Sequence, residues 1–292
     1  ADTAEGEKSF KAGKGVAVCS GGFENNDVMK SNYLNMPGRP IGSPYNKGLG
    51  VLMCQAVGAD LWHMHTAMTP MNFDFKEYSA PGFEDNAITV TTSVNQGAIW
   101  LDKYGKRFMN ESRTSQHGLG FSEIFWEDSN KLETPRIPMW VVADDVQVQE
   151  TGLFTSSSAW VLFFEGFKPS KGCVDEVEKG WVLKADSVEE LAGKMDLDPA
   201  LLQETMDRYN GFAENGVDED FGRSEKTLRV LEPPFYAVSV HPALLNTDGG
   251  PRRDAEGRVL NVWGEPIPHL YSAGEIGSIW AHHYQGSGNV GE

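Results

Sequence analysis

Residues 15–20, Gly-Val-Ala-Val-Cys-Ser, form a short apolar run that stops at Gly21-Gly22. That is the pattern of a buried, often parallel strand. Asn26-Asp27 predicts a cap for a short helix through Asn35, and Pro37-Gly38 and Pro40 break it. From Asn46 onward, Leu49, Leu52, Met53, Ala56 and Val57 recur at helical spacing before Gly58. The spacing predicts an amphipathic helix with these residues on its apolar face. Residues 88–94 and 98–102 read as strands followed by a turn at 103–106, and 137–143 as another strand. Ser187 and Glu190 form a capping box ahead of Leu191. Asp198-Pro199 opens the longest helix, with Leu201, Leu202, Thr205, Met206, Tyr209 and Phe212 at 3.6-residue spacing and a stop near Gly216. Strands follow at 235–240, 258–262 and 269–272, with turns at 246–250 and 263–266.

The order predicts one domain interrupted by another. A few α/β elements span residues 1–60. An α+β insert covers 61–245, where composition shifts to Met, His and aromatics, and more strand-and-glycine material fills 246–292. No repeat or low-complexity stretch interrupts the chain.

Composition narrows the classes. The 292 residues are 40% hydrophobic and 23% charged, as in a folded protein. Twenty-five Lys plus Arg against 42 Asp plus Glu give a net charge of −17, which argues against a general nucleic-acid binder or an anchor on anionic lipid. No run approaches the ~18 apolar residues of a membrane span. Cys19, Cys54 and Cys173 are far apart, which excludes a disulfide framework or a cysteine-rich zinc site. The first 15 residues lack the apolar core of a signal peptide and the arginines of a transit peptide. A polar start without Met, and an end on a glycine-rich loop that should lead into a helix, predict a piece of a longer chain. Glycine is frequent, 32 residues or about 11% against a usual ~7%.

The informative glycines sit at Ser20-Gly21-Gly22, Ala273-Gly274-Glu275 and Gly286-Ser287-Gly288-Asn289, each beside a predicted strand. Glycines there let backbone approach a ligand and aim N–H groups at its oxygens. A carboxylate such as Glu275 after a strand-terminal glycine suits ribose or ribityl hydroxyls. Each motif alone reads first as a turn; the three in this order point to a ligand. His63, His65, His282 and His283 offer imidazoles, yet no third ligand has metal-site spacing, so no metal is expected. His63 and His65 read as substrate contacts, a pocket wall or packed core, and His283 as a substrate or proton contact. Trp62, Met64, Met68, Met71, Phe73 and Phe75 line an apolar pocket or form plain core.

Several segments resemble one family: KGVAVCSGGFENN, NKGLGVLMCQAVGAD, GKRFMNESR, SVEELAGKM with LLQETMDRYNGFAENGVDEDFGR, and NTDGGPRRDAEGRVL with PIPHLYSAGEIGS and GSGNVGE. They cover almost the whole chain in order. The sequence is similar to the flavoprotein family containing fumarate reductase, succinate dehydrogenase flavoprotein subunits, urocanate reductase and 3-ketosteroid dehydrogenases. The resemblance implies an α/β fold, a partial Rossmann-like FAD-binding domain (1–60 and 246–292) with an inserted α+β capping domain (61–245). It implies FAD held by Ser20, Gly21, Gly22, Gly274, Glu275, Gly286, Ser287, Asn289 and Val290. The G-x-G-x-x-G unit that opens the family is missing, so FAD binding by this piece alone is expected to be weak or absent.

Family chemistry is hydride transfer between flavin and a carbon beside an electron-withdrawing group. The family's acid is an arginine after the R-F-x-N-E motif. Here Arg107-Phe108-Met109-Asn110-Glu111 is followed, at shorter spacing, by Arg113. Arg113 is thus the implied proton donor, or else a surface or anion-binding arginine; Glu111 orients it or serves a turn. The family's dicarboxylate clamps fall on Met68-Thr69-Pro70, Leu245-Asn246 and Gln285, which argues against fumarate or succinate. Residues 284–288 resemble the Y-A-G-P-G segment of ketosteroid dehydrogenases. Tyr284 and the Gly288 N–H are therefore implied to polarise a substrate carbonyl, the alternative being that Tyr284 packs on the flavin. The implied activity acts on a C–C bond beside a carbonyl, as in an enone or ketosteroid. The alternatives are a reductase of an unsaturated carboxylate (fumarate-, urocanate- or acrylate-like) and a cap or binding module without turnover. A small-molecule substrate is the expected partner, an electron donor or acceptor protein stays open, and the compartment is cytoplasmic by default with export open.

Overall fold

The computed structural model describes residues 2–34, 38–40, 43, 45–68, 71–72, 97–113, 121–154 and 169–280. Strands and helices interleave along the chain, which divides into two compact units. The first comprises Ala1–Asn35, Tyr45–Ala67 and Asn246–Glu292; the second comprises Met36–Pro44 and Met68–Leu245.

In the first unit, strand Val16–Val18 runs parallel to strand Pro266–Ser272, with Val16 opposite Leu270 and Val18 opposite Ser272. Strand Arg258–Leu260 pairs antiparallel on the other side of Pro266–Ser272. Asn26 caps helix Asp27–Met29 through a 3.1 Å bond from the Met29 N–H to its Oδ1, and the turn continues as a π-helix, Lys30–Leu34.

Helix Leu49–Ala56 forms, but its face is the reverse of the expected one. Leu49, Leu52, Met53 and Val57 are exposed, whereas Gly50, Val51 and Cys54 are buried. The reason is a close approach. A Cβ on Gly50 would lie 2.0 Å from Ser20 Oγ and 2.7 Å from Val18, so only a small residue lets this helix rest on the strand end. Residues 50, 51 and 54 share the same helical period, and steric fit selects them over the larger side chains.

The second unit is built on a sheet with the order Leu183–Ala185, Phe235–Leu244, Met139–Asp144, Ile99–Leu101. Met139–Asp144 runs antiparallel to both its neighbours, as does Leu183–Ala185 to the long strand. Alternation along the strands gives two cores. Trp100, Val141, Ala143, Tyr236 and Val238 face one layer. Ile99, Leu101, Val142, Phe235 and Ala237 face the helices Val188–Met195 and Pro199–Asn215. Ser187 accepts from the Glu190 N–H at 3.1 Å, while Glu190 reaches back to the Asp186 N–H at 2.9 Å. Asp198 caps the longest helix, whose buried stripe is Leu202, Met206, Tyr209 and Phe212 and whose stop is Gly216 at φ +70°. The long strand extends past Val240 to Leu244, and Leu183–Ala185 was hidden by its brevity and by Lys184 at its centre. The strand expected at 88–94 lies outside the described residues.

A buried charge lattice ties this unit together. Arg107 donates to both Glu111 oxygens at 2.8 and 2.9 Å and to Asp218 at 3.0 Å. Arg223 donates to Glu111 at 3.2 Å and to the Ala98 carbonyl at 2.7 Å. The Arg107 guanidinium also lies 5.0 Å from the centre of the Tyr209 ring. Glu111 is therefore the acceptor that joins two guanidinium groups. Removing it leaves Arg107 with Asp218 alone and one buried guanidinium charge uncompensated, a change that typically costs ~3–5 kcal/mol. Glu111→Ala is expected to lower unfolding stability by about that amount in urea denaturation. Lys194→Ala, which breaks an exposed pair with Glu190 and an exposed bond to the Lys184 carbonyl, is expected to cost under ~1 kcal/mol.

Candidate functional site

Because Val16–Val18 and Pro266–Ser272 are parallel, the turns that follow them leave the same edge of the sheet. In open α/β sheets ligands bind at the carboxyl ends of strands. Ser20-Gly21-Gly22 and Ala273-Gly274-Glu275 are these turns, joined by a 3.2 Å bond from the Ala273 N–H to the Val18 carbonyl. Ser20 is exposed, Gly21 half-buried and Gly22 buried.

Two carboxyl groups meet over Gly22. A Cβ there would lie 2.2 Å from Thr247 Oγ1, 2.7 Å from Glu275 Oε1 and 2.8 Å from Glu24 Oε2. Gly21 has φ +72°, and a Cβ on it would lie 2.6 Å from Asn46 Oδ1. The two glycines are therefore required by backbone conformation and by the side chains crowded over them.

Asn46 Nδ2 bridges the pair, 2.6 Å from Glu24 Oε1 and 3.3 Å from Glu275 Oε2. The Thr247 N–H donates to Glu275 at 3.2 Å, and the Phe23 N–H donates to Thr247 Oγ1 at 2.9 Å. Among the described residues neither carboxyl has a cationic partner. Glu24 is fully buried, and its Oε2 receives no hydrogen bond from a described donor. Burial, and then the charge of Glu275, push the Glu24 carboxyl well above the usual range. Burial likewise pushes half-buried Glu275 up to about 7, against the opposing pull of the Thr247 N–H, Glu24 and the Gly22 N–H. Glu24 is thus the member that keeps its proton, and its Oε2 is the oxygen that lies with Glu275 Oε1 over Gly22.

The loop carrying Glu275 is held from both sides. Trp62 Nε1 donates to the Gly277 carbonyl at 3.1 Å, and His63 Nδ1 to the Ser278 carbonyl at 2.7 Å, with the two rings stacked 4.5 Å apart. A carbonyl only accepts, so His63 carries its proton on Nδ1. Arg253 donates to the Gly274 and Ile276 carbonyls at 3.3 and 3.0 Å.

The donor set fits an FAD ribose or ribityl chain. Carboxyl oxygens with an unfilled acceptor site, and no cation beside them among the described residues, suit hydroxyl groups rather than phosphate. Gly21, Gly22, Gly274 and Glu275 come together here, with Ser20 at the rim. His63 braces the loop, and His65 is exposed. The backbone of Arg113 lies in the 3₁₀ turn Glu111–Arg113 of the second unit. His283, Tyr284, Gly286, Ser287, Gly288, Asn289 and Val290 lie outside the described residues. Among the described residues no group of three His, Cys, Asp or Glu side chains could hold a metal ion.

Sequence reasoning missed Glu24, Asn46 and Thr247. Glu24 had one signal, a carboxylate two residues past a strand-end glycine pair. Asn46 and Thr247 had none, since their roles come from contacts across the fold.

A family model for the FAD binding domain matches residues 1–290. The 3-oxosteroid 1-dehydrogenase of Mycolicibacterium smegmatis is 30% identical, the match covering 99% of this chain and 52% of that protein. The probable fumarate reductase Ifc3 of Shewanella frigidimarina is 27% identical over 90% of this chain and 39% of its own length. The crystal structure of 3-ketosteroid delta1-dehydrogenase from Sterolibacterium denitrificans shares the fold, with a TM-score of 0.75 at 23% identity over 94% of this chain and 50% of that one. The chain spans about half the length of the curated relatives it matches.

The folded state binds more protons than the unfolded one wherever a carboxyl is raised above its free value of ~4.3. Unfolding free energy therefore falls as pH rises from ~4.5 through about 7. Glu24→Gln keeps the shape and removes one of these protons, so urea denaturation is expected to show a smaller loss of stability across that window than in the wild type. Equal losses in both proteins would contradict the assignment.

Proposed function

The chain belongs to the FAD-binding-domain family, and from that premise we propose that it serves an FAD-dependent oxidoreductase acting on a C–C bond beside a carbonyl. Bound FAD supplies the hydride acceptor or donor. Residues 1–60 and 246–292 supply the cofactor site, as a partial Rossmann-like domain, and residues 61–245 the substrate cap. Glu275 accepts cofactor hydroxyls, with the Gly21-Gly22 and Gly274 backbone close against the cofactor. Ser20, Gly286, Ser287, Asn289 and Val290 complete the set. Tyr284 and the Gly288 N–H polarise the substrate carbonyl oxygen, Arg113 delivers the proton, and His63, His65 and His283 stand nearest the substrate.

The observation that carries the cofactor half of this proposal is the convergence of two glycine turns, at the ends of parallel strands, on a hydroxyl-accepting carboxyl pair. The substrate half draws support from the relatives named as steroid dehydrogenases. It draws further support from the positions where dicarboxylate clamps would stand. Met68 packs on Ala243 and Leu245, and Asn246 Nδ2 is 3.1 Å from Asp248, so neither position offers a cation. No helix among the described residues is long and apolar enough to cross a membrane.

The test is reoxidation of the reduced, FAD-loaded, full-length protein. An enone 3-ketosteroid is expected to reoxidise it at least about tenfold faster than fumarate, and Tyr284→Phe to slow the enone reaction ~100-fold, the scale of one lost oxyanion donor. Faster reoxidation by fumarate would overturn the carbonyl substrate.

A further inference from the structure

A buried and a half-buried carboxyl bridged by one amide are an unusual arrangement in a site with no neighbouring cation among the described residues. The repulsion between two full charges so placed is avoided if one proton is retained. The geometry supplies the path for it. Asn46 Nδ2 can donate to both groups but cannot neutralise either, and Glu24 reaches Glu275 over Gly22, where no Cβ intervenes. Two nearby charged groups have partners of their own. Asp248 accepts from Asn246, and Arg253 donates to the Gly274 and Ile276 carbonyls.

We propose that Glu24 and Glu275 act as a one-proton carboxyl pair that receives hydroxyls of the FAD polyol, with Glu24 as the positioning residue that sets the pH range in which the cofactor is held. This rests on the FAD assignment above. With one proton present, Glu24 donates to Glu275 and fixes its carboxylate so that the free acceptor lobes face a ligand hydroxyl. When that proton passes to solvent, the pair carries two negative charges. They repel one another, release the fixed rotamers and oppose the pyrophosphate anion of the incoming cofactor. Burial of Glu24, and then the charge of Glu275, hold that proton well above the usual carboxylate range.

The test combines cofactor titration with a measurement that needs no cofactor. FAD affinity of the full-length protein, from flavin fluorescence, is expected to hold above the Glu275 titration at about 7, while Glu24 keeps its proton, and to fall up to about tenfold per pH unit once that proton is lost at more alkaline pH. In Glu24→Gln, whose amide still donates but has no proton to lose, affinity is expected to stay flat. Asn46→Ala removes a donor to the charged form and is expected to move the fall to higher pH. FMN, carrying only the ribityl chain, and AMP, carrying only the ribose, identify the hydroxyls by which of them reproduces the pH dependence. In parallel, carboxyl-carbon NMR of the cofactor-free protein is expected to show two coupled titrations, the later one vanishing in Glu24→Gln. The same pH dependence of FAD affinity in wild type and Glu24→Gln overturns the proposal. So do two uncoupled titrations in the ordinary carboxylate range. Absence of FAD binding at every pH in both full-length proteins instead overturns the FAD assignment, and the hydroxyl role with it.

Discussion

The first unit is organised around a steric constraint: two glutamates must meet where there is no room for a Cβ. Gly22 lies beneath both carboxyls, Gly21 lies against Asn46, and Gly50 lets a helix rest on Ser20. Each glycine is fixed by a particular neighbour rather than by a general need for flexibility. Parallel pairing of Val16–Val18 with Pro266–Ser272 brings the two turns to one edge, and Trp62, His63 and Arg253 hold the second turn in place. The Glu24–Glu275 pair exists because these elements leave its members nowhere else to point.

The two units treat buried charge in opposite ways. In the second, Arg107 and Arg223 surround Glu111 and Asp218, so each carboxylate faces a guanidinium. Such a lattice stabilises a particular arrangement and leaves little unsatisfied. In the first, two carboxyls face an amide and backbone N–H groups, and Glu24 keeps an acceptor atom without a described donor. Proteins tolerate incomplete satisfaction of this kind chiefly at functional sites, where a ligand supplies the missing partner.

Much of this was legible in the sequence. Strand-end glycines, the caps at Asn26, Ser187 and Asp198, and the stripe from Leu202 to Phe212 are local signals with local causes. Contacts across the chain were not legible. Asn46 and Glu275 are 229 positions apart, and Phe23 and Thr247 are 224 apart. The face of helix Leu49–Ala56 was misread for a related reason: periodicity counts apolar residues, whereas the packing there selects the smallest one. The R-F-x-N-E motif drew attention to Arg113, yet the described side chains show Arg107 and Glu111 at work inside their own unit.

Hydrogen–deuterium exchange with and without FAD tests most directly whether the paired strand ends are the cofactor site. Protection is expected at residues 20–25, 45–50 and 273–278, by about tenfold or more where an amide becomes a ligand donor. The helix Pro199–Asn215 is expected to exchange equally in both states. Protection confined to that helix and its neighbours, with the strand-end turns unchanged, would contradict the account.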